Sequence, residues 1–484
     1  MSLSAAFSSA LSGLTASSRM AEITSSNIAN ALTEGYGRRE VQLSPRLIGQ
    51  SGIGVSVSGV TRSENPFLQG ELRAATSGEA FARERSAFLA SLEQSLGSSE
   101  DAGSLLARIA TFERSLVEAS ARPESDARLV AVLDAASAIA TKLAMLTETL
   151  QEARQEADRR ISADVQTLNA SLAVIGQLGT QIRSVRAAGG DVSALLDQRQ
   201  SHIDRISSIV PIKEIPRQND QIALMTDGGT VLLDSRPVQI GFRPTNTITA
   251  DLTAESGALS GLTLDGKPLD AGALSARLGD GRLSALFSVR DALAPKAQAQ
   301  LDGLAADLIT RFADPSIDPT LIPGTAGLFT DAGGLIAPLD EAGVAGRIGI
   351  NAAADPAKGG AVWRLREGLG KAAADSPGDS RLLSALSAVL NAKGTPPIGS
   401  FPSANTVSGL SSVVLSDVSR QRLSAEADLG FAATQASTFR SELLRAGVDT
   451  DQEMQNLLGI EKAYGANARV LQTLDGMLET LLGI

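Results

Sequence analysis

The stretch GVDTDQEMQNLLGIEKAYGANARVLQTLDGMLETLLGI (Gly447–Ile484) decides how the chain is organised. Leu457, Ile460, Tyr464, Asn467, Leu471, Leu474, Leu478 and Leu481 recur at alternating steps of three and four, close to the ~3.5-residue period that winds helices around one another. No proline interrupts the run. A helix with so sharp an apolar stripe needs a partner outside itself. Residues 1 to about 31 supply a near one, a second and poorer heptad seam of Leu3, Phe7, Ala10, Leu14, Ser17, Ala21, Thr24 and Ile28. Small and hydroxyl residues at half of these positions suit close approach to a bulkier helix. Asn467, a polar residue in an apolar seam, is expected to fix register at some cost in stability, as an assembly whose subunits must stack in one register requires.

The rest of the chain goes out from these seams and returns to them. After SSNIANALTEGYGRREVQL (Ser25–Leu43), Gly35 and Gly37 bracket Tyr36 at a turn, and Val41, Leu43, Ile53, Val55 and Val57 alternate with polar residues as short strands would. From Phe67 to Val210 the spacing predicts helix almost throughout, broken at Pro123. Short β-like runs follow Pro211, with Asp227-Gly228-Gly229 and Asp265-Gly266 where hairpin turns fall. Leu283 to Leu308 returns to helix with a break expected at Pro295, and two long helices split near Gly447 close the chain. The fold class is therefore mainly α with a small β domain, elongated, with paired coiled-coil-like terminal helices. Three domains are expected: residues 1–48 with 447–484 for the terminal helices, 49–210 with 283–446 for a long-helix bundle that includes an irregular stretch at 313–402, and 211–275 for an outer β domain. A strand at RIGI (347–350) and helices near Leu365 and Leu382–Leu390 are expected within the irregular stretch.

Composition narrows the function. A formal net charge of -11 over 484 residues disfavours nucleic acid and anionic membrane surfaces as partners, because no basic surface stands ready to release phosphate counterions. The chain has no cysteine, so neither disulfides nor thiolate metal sites are available. The start, MSLSAAFSSALSGLTASSRM, lacks the basic segment and unbroken apolar core of a cleavable secretory signal. No unbroken run approaches the roughly 18 apolar residues of a membrane span. Aromatic residues are only 3%, which leaves few anchors for a ligand pocket.

The chemistry of an enzyme is equally thin. His202 is the sole histidine, so a two-histidine zinc site cannot form, and within LLDQRQSHIDRI it reads as a surface or interhelix residue. Phosphate-binding, dinucleotide-binding and nucleophile-elbow motifs are absent from the sequence. Asp449, Asp451 and Glu453 form the densest carboxylate group, but Thr450 with Glu453 fits a helix capping box better than a calcium site. Asp314, Asp318 and Asp331 lack the regular spacing of a calcium loop. No catalytic, cofactor or metal residue is expected. Tyr36 and Tyr464, the two tyrosines, each lie in a terminal segment, where their apolar body and polar tip suit an interface.

Ser25–Tyr36 resembles the N-terminal signature of the bacterial flagellar axial proteins (rod, hook and hook-associated), with Asn27, Ile28, Ala29, Asn30, Thr33, Gly35 and Tyr36 in place. Glu453–Ile484 is similar to their C-terminal signature, through Asn456, Leu457, Ala463, Tyr464, Ala466, Asn467, Val470 and Leu471. VSVSGVTRSENPFLQGELRAA, the long helical stretch and LLDQRQSHIDRISSIV (Leu195–Val210) resemble in particular the hook-associated members of the hook–filament junction. The chain departs from the pattern at Gly37, where the family often has a hydroxyl residue, and is short for this group. The resemblance implies a non-enzymatic structural protein exported by the flagellar type III pathway to the extracellular flagellum. Expected partners are identical subunits in a ring, hook protein on one side, a second junction protein and the filament on the other, and an export chaperone. Leu3, Phe7, Leu14, Asn27, Ile28, Asn30, Gly35 and Tyr36 with the C-terminal seam would form the assembly surface. The alternatives are a hook or rod protein of the same family, or an axial protein with an adhesin or hydrolase insert; the outer β region has few aromatics and no suitable acid pair.

Overall fold

The computed structural model describes residues 3–33, 35–48, 51–98, 100–270, 273–337 and 341–483. The first helix, α1 (Leu3–Ala29), leads into an antiparallel hairpin of β1 (Arg38–Ile48) and β2 (Ser51–Ser63). These strands, 11 and 13 residues long, exceed the short strands expected, because serine, glycine and threonine positions outside the apolar alternation also pair: Ser44 with Ser56 and Gln42 with Gly59. The hairpin lies on α1. Gly54, at φ 122°, comes so close that a Cβ there would stand 2.1 Å from the Ser12 hydroxyl, whose oxygen accepts the Val55 N–H at 3.2 Å. The boundary expected at 48/49 therefore divides a single hairpin, and both strands go with α1.

Asn65 accepts the Leu68 N–H at 3.1 Å and Pro66 takes the first helical turn, a start well suited to a residue without an amide hydrogen. This opens α2 (Pro66–Leu96), followed by α3 (Leu105–Ala121), α4 (Asp126–Ala187) and α5 (Ser193–Ser207). The break at Pro123 falls between α3 and α4 as expected. At 62 residues and about 1.5 Å per residue, α4 is roughly 90 Å long. Part of α4 is long and apolar enough, by length and composition, to cross a membrane, contrary to the sequence expectation; Asp134 and Lys142 interrupt its apolar residues and hide it from a search for unbroken runs. Leu129, Val132, Ile139, Leu143 and Leu146 of this part are buried among the neighbouring elements.

Past Pro211, β3 (Ile212–Pro216), β4 (Ile222–Thr226) and β5 (Val231–Leu233) form one small antiparallel sheet, and β6 (Ile240–Gly241), β7 (Thr263–Leu264) and β8 (Lys267–Pro268) another. The turns fall at Asp227–Gly229 and Asp265-Gly266, with Asp265 at φ 47° and Gly266 at φ 78°. The chain returns through α6 (Leu274–Leu278), α7 (Arg282–Ser288) and α8 (Ala294–Phe312). The break expected at Pro295 is instead a π-turn, Val289–Leu293, that joins α7 to α8 and delivers Pro295 to the first turn of α8, where no amide hydrogen is needed. The π-turn also places Arg290 in the core, paired with Asp158 at 2.6 Å and Asp291 at 2.8 Å, 4.8 Å from the ring centre of Phe287.

The irregular stretch holds β9 (Phe329–Asp331) and β10 (Ile348–Ile350), which pair with each other, and the helices α9 (Val344–Arg347), α10 (Arg364–Glu367) and α11 (Arg381–Asn391). The long α12 (Val407–Arg445) runs back along α2, tied by an Arg422–Glu93 ion pair, and α13 (Thr450–Leu482) follows the turn at Gly447. One buried apolar cluster reaches from Phe88 to Ala425 and includes nothing from α1, the hairpin or α13. In those terminal elements the buried apolar residues, among those described, are Ala10, Ala16, Ile23 and Leu474.

Candidate assembly site at the base of the terminal helices

The two terminal helices pack against each other, α1 along α13. Leu474 is buried in this contact, while Leu457, Ile460, Asn467 and Leu471 are half-buried. On α1, Ala10, Ser17 and Thr24 are buried, and Leu3, Leu14 and Ile28 half-buried. Asn467 lies over Gly13, where a Cβ would come within 2.7 Å of its amide nitrogen. The amide itself donates to its own helix, at Ala463 O, 3.0 Å away. Asn467 is thus a knob in a glycine notch, and any register it sets is steric. The other stripe residues remain open: Phe7 is 42% exposed, Tyr464 48%, Leu478 38% and Leu481 62%. Phe7 and Leu478 line an open groove with Leu3, Leu11 and Leu474 at one end of the pair.

At the base of the pair, the residues after α1 fold into a compact polar knot. The Tyr36 hydroxyl donates to Asn27 Oδ1 at 2.9 Å, and the Arg39 N–H donates to the same oxygen at 3.0 Å. Asn27 Nδ2 donates to Arg39 O at 2.9 Å and to Glu453 Oε2 at 3.3 Å. Asn30 closes the end of α1 by donating to Ser26 O at 2.9 Å, and Thr33 donates to Asn30 Oδ1 at 3.4 Å. Gly35 supplies the left-handed residue of the turn, at φ 78°, a conformation open to glycine without strain. The buried Asn27 therefore fixes both the turn and the first strand, satisfying backbone groups that burial would otherwise leave unpaired.

Glu453 corrects the capping-box expectation. The N-cap of α13 is Asp449, whose side chain accepts the N–H groups of Asp451 and Gln452. Glu453, 1% exposed, points instead across to the N-terminal segment, where Arg38 Nε donates to it at 2.7 Å. Burial alone would lower the Arg38 pKa, but the bonds and charges of Glu453 and Glu40 outweigh it and hold the guanidinium more firmly protonated than usual. A second carboxylate meets the same segment from α5. Asp197, in the LLDQR element, accepts the Gly37 N–H at 3.2 Å and Arg39 Nη2 at 2.6 Å, and forms an ion pair with Arg62, whose Nε lies 2.8 Å away. Arg39 also lies over the Tyr36 ring, 4.9 Å from its centre. Nearby, Asp191 faces Arg19 of α1 at 3.8 Å; burial raises its carboxyl, yet the Ser193 bonds and the Arg39 and Arg19 charges bring it below the ordinary value.

The structure thus brings Asn27, Asn30, Gly35 and Tyr36 into one knot, and sets the leucines and Asn467 along the helix pair. Arg38, Arg39, Arg62, Asp197 and Gly13 are central to this arrangement and carry no signal in the sequence pattern, and Glu453, legible there only as a capping residue, joins them. Gly37 carried a signal: a Cβ there would stand 2.1 Å from Arg62 Nε, so the departure from a hydroxyl residue makes room for an arginine. Among the described residues no group of three or more histidines and carboxylates is placed to hold a metal, and His202 is half-buried on α5.

Residues 7–36 match the family described as "Flagella basal body rod protein", residues 89–315 "Flagellar hook-associated protein FlgK helical domain", and residues 442–484 "Flagellar basal body rod FlgEFG protein C-terminal". The "Flagellar hook-associated protein 1" of Bacillus subtilis (strain 168) is 24% identical over 497 aligned positions, spanning 95% of this chain and 94% of that protein. The proteins of the same name from Escherichia coli (strain K12) and Salmonella typhimurium are 23% and 24% identical, over 56% and 63% of this chain and 51% and 56% of theirs. A solved structure of "the flagellar hook junction protein FlgK from Burkholderia pseudomallei" superposes at a TM-score of 0.45 with 18% identity, over 54% of this chain and 46% of that one; so loose a likeness bears no argument about the fold.

Proposed function

This chain belongs to the flagellar hook-associated proteins and is a structural component of the hook–filament junction, and from that premise we propose how it is built into the flagellar axis. The terminal unit, residues 3–63 with 447–483, packs against the same unit of neighbouring subunits as a coiled-coil-like tube wall, and the helical bundle with its outer β domain sits outside it. A ring of such subunits joins hook protein on one side to a second junction protein and the filament on the other. The chain reaches that place by the flagellar type III pathway, held beforehand by an export chaperone. Its action is mechanical, and no step of chemistry is assigned to it.

The observation that carries this reading is the incomplete burial of α13. Among the described residues, four apolar residues are buried in the terminal elements, against 18 on α4 alone, while Phe7, Leu11, Tyr464, Val470, Met477 and Leu481 stay exposed. At roughly 25 cal/mol per Å² of apolar surface removed from water, a stripe this long stabilises an assembly far more than the lone chain. Asn27, Ile28, Asn30, Gly35 and Tyr36 hold the base of the helix pair, and Leu3, Phe7, Leu14, Leu457, Ile460, Tyr464, Asn467, Leu471, Leu474, Leu478 and Leu481 form the packing faces. Deleting Leu471–Ile484 is expected to leave the helical bundle folded, by circular dichroism and thermal melting, and to abolish filament growth on existing hooks. Filaments of normal number on cells carrying that deletion would overturn the proposal.

A further inference from the structure

We propose that Asp197 is a positioning residue, the carboxylate of α5 that pins the terminal helix pair and its hairpin at a fixed angle to the helical core. The terminal elements share no buried apolar cluster with the rest of the chain, so hydrophobic packing does not set that angle. The covalent connections are two short segments, Glu64-Asn65 between β2 and α2 and the turn around Gly447 between α12 and α13. Asp197 bridges the gap at hydrogen-bond distance, beside the longer Asp191–Arg19 contact at 3.8 Å. Its two oxygens take a backbone N–H from Gly37 and a guanidinium from each strand of the hairpin, Arg39 and Arg62.

Both sides of this bridge are stiff. On the core side, Ile203 and Ile206 bury α5, and Arg199 of the same helix donates to Asp220 O at 2.6 Å. On the terminal side, Arg39 stacks on Tyr36 and Tyr36 bonds Asn27, which in turn reaches Glu453 on α13. Arg62 is 5% exposed by its side chain and Arg39 16%. Without Asp197 these two guanidinium groups would face each other with reduced access to water, and like charges so placed push the strands off α5 rather than hold them. Arg62 retains Glu64, on its own strand's continuation, and that pair cannot replace a link to the core.

The absence of cysteine lets two be introduced for spin labels in the full-length chain, at Ser18 on α1 and Ala163 on α4, both exposed. Double electron–electron resonance on the otherwise unaltered protein is expected to give one narrow distance distribution. Asp197→Ala should broaden it and add a second population, Asp197→Asn should do so less because one oxygen remains for the Gly37 N–H, and helical content should stay unchanged in both. Gly37→Ser, which drives a Cβ into Arg62 with the carboxylate intact, should broaden it as Asp197→Ala does. If Asp197→Ala fails to fold, Gly37→Ser and Arg39→Gln decide alone. A distribution as narrow in these variants as in the parent overturns the proposal, and so does a parent distribution already as broad as theirs. The measurement involves no flagellar partner, so its failure would leave the assembly reading untouched, and the reverse holds as well.

Discussion

Replacing Glu453 with alanine tests whether a buried ion pair holds the two ends of the chain together. The carboxylate accepts Arg38 Nε at 2.7 Å and Asn27 Nδ2 at 3.3 Å. A hydrogen bond to a charged group contributes about 1.5–3 kcal/mol, and breaking a fully buried pair costs about 3–5 kcal/mol. The Arg38 side chain is 24% exposed and keeps Glu40, so the cation left behind is partly solvated and the lower range applies. We expect Glu453→Ala to lower the opening free energy of the terminal helix pair by about 2 kcal/mol, close to a 30-fold rise in amide exchange at ~1.4 kcal/mol per factor of ten. Glu453→Gln, which keeps an oxygen for Asn27, should cost about half as much. Hydrogen–deuterium exchange read by mass spectrometry over residues 10–29 and 453–474 measures it, with α4 peptides as the internal reference. Unchanged exchange in both terminal segments would refute the reasoning, as would an equal rise in α4, which would mean that the effect is not local.

The glycine notch makes a sign prediction. Gly13→Ala gains about 1 kcal/mol of helix propensity but drives a Cβ into Asn467, an overpacking cost of about 1–3 kcal/mol, so it should loosen the pair. Asn467→Ala should also loosen the parent yet tighten the Gly13→Ala variant, and simple additivity of the two in exchange over α13 would dismiss the steric register. Asp302 gives a pH dependence: burial pushes its carboxyl up despite the N–H groups of Ala345 and Gly343 and the Gln298 amide. The folded chain then holds that proton more tightly than the unfolded chain, so this group's contribution is greatest below the ordinary carboxylate range and is lost as pH rises through the raised value. Asp302→Asn, neutral throughout, should show a smaller fall in the melting temperature of the helical core between mildly acidic and neutral pH; an identical fall contradicts the assignment.

Much of the helical layout was legible because apolar periodicity is a local signal. The seams on α1 and α13, the break at Pro123 and the turns at Asp227–Gly229 and Asp265-Gly266 all rest on neighbours within a few residues. What escaped depends on contacts distant in sequence. Glu453 sits at a spacing that serves a capping box equally well, and only Arg38 and Asn27, brought from the other end of the chain, give it a different task. Pro295 reads as a break because a straight α-helix cannot absorb it, whereas the π-turn before it can. The hairpin's full length is hidden in the sequence because Ser44, Ser56, Gln42 and Gly59 do not alternate as buried strands do. Of the candidate site, the knot around Asn27 and Tyr36 was visible as a motif, but the carboxylates that grip it were not.

Asn27 and Glu453 are 426 residues apart in the chain. At a synthesis rate of about 5–20 residues per second, roughly 20–85 s separate the appearance of the two partners. Throughout that interval α1 exists without the helix that covers it, while α3, α4 and α5, whose mutual contacts are between neighbours in the chain, can already be in place. The terminal unit is therefore the last part of the molecule able to form, and it forms by closing the chain into a loop. Timing, as much as sequence, leaves the two ends free to meet other surfaces before they meet each other.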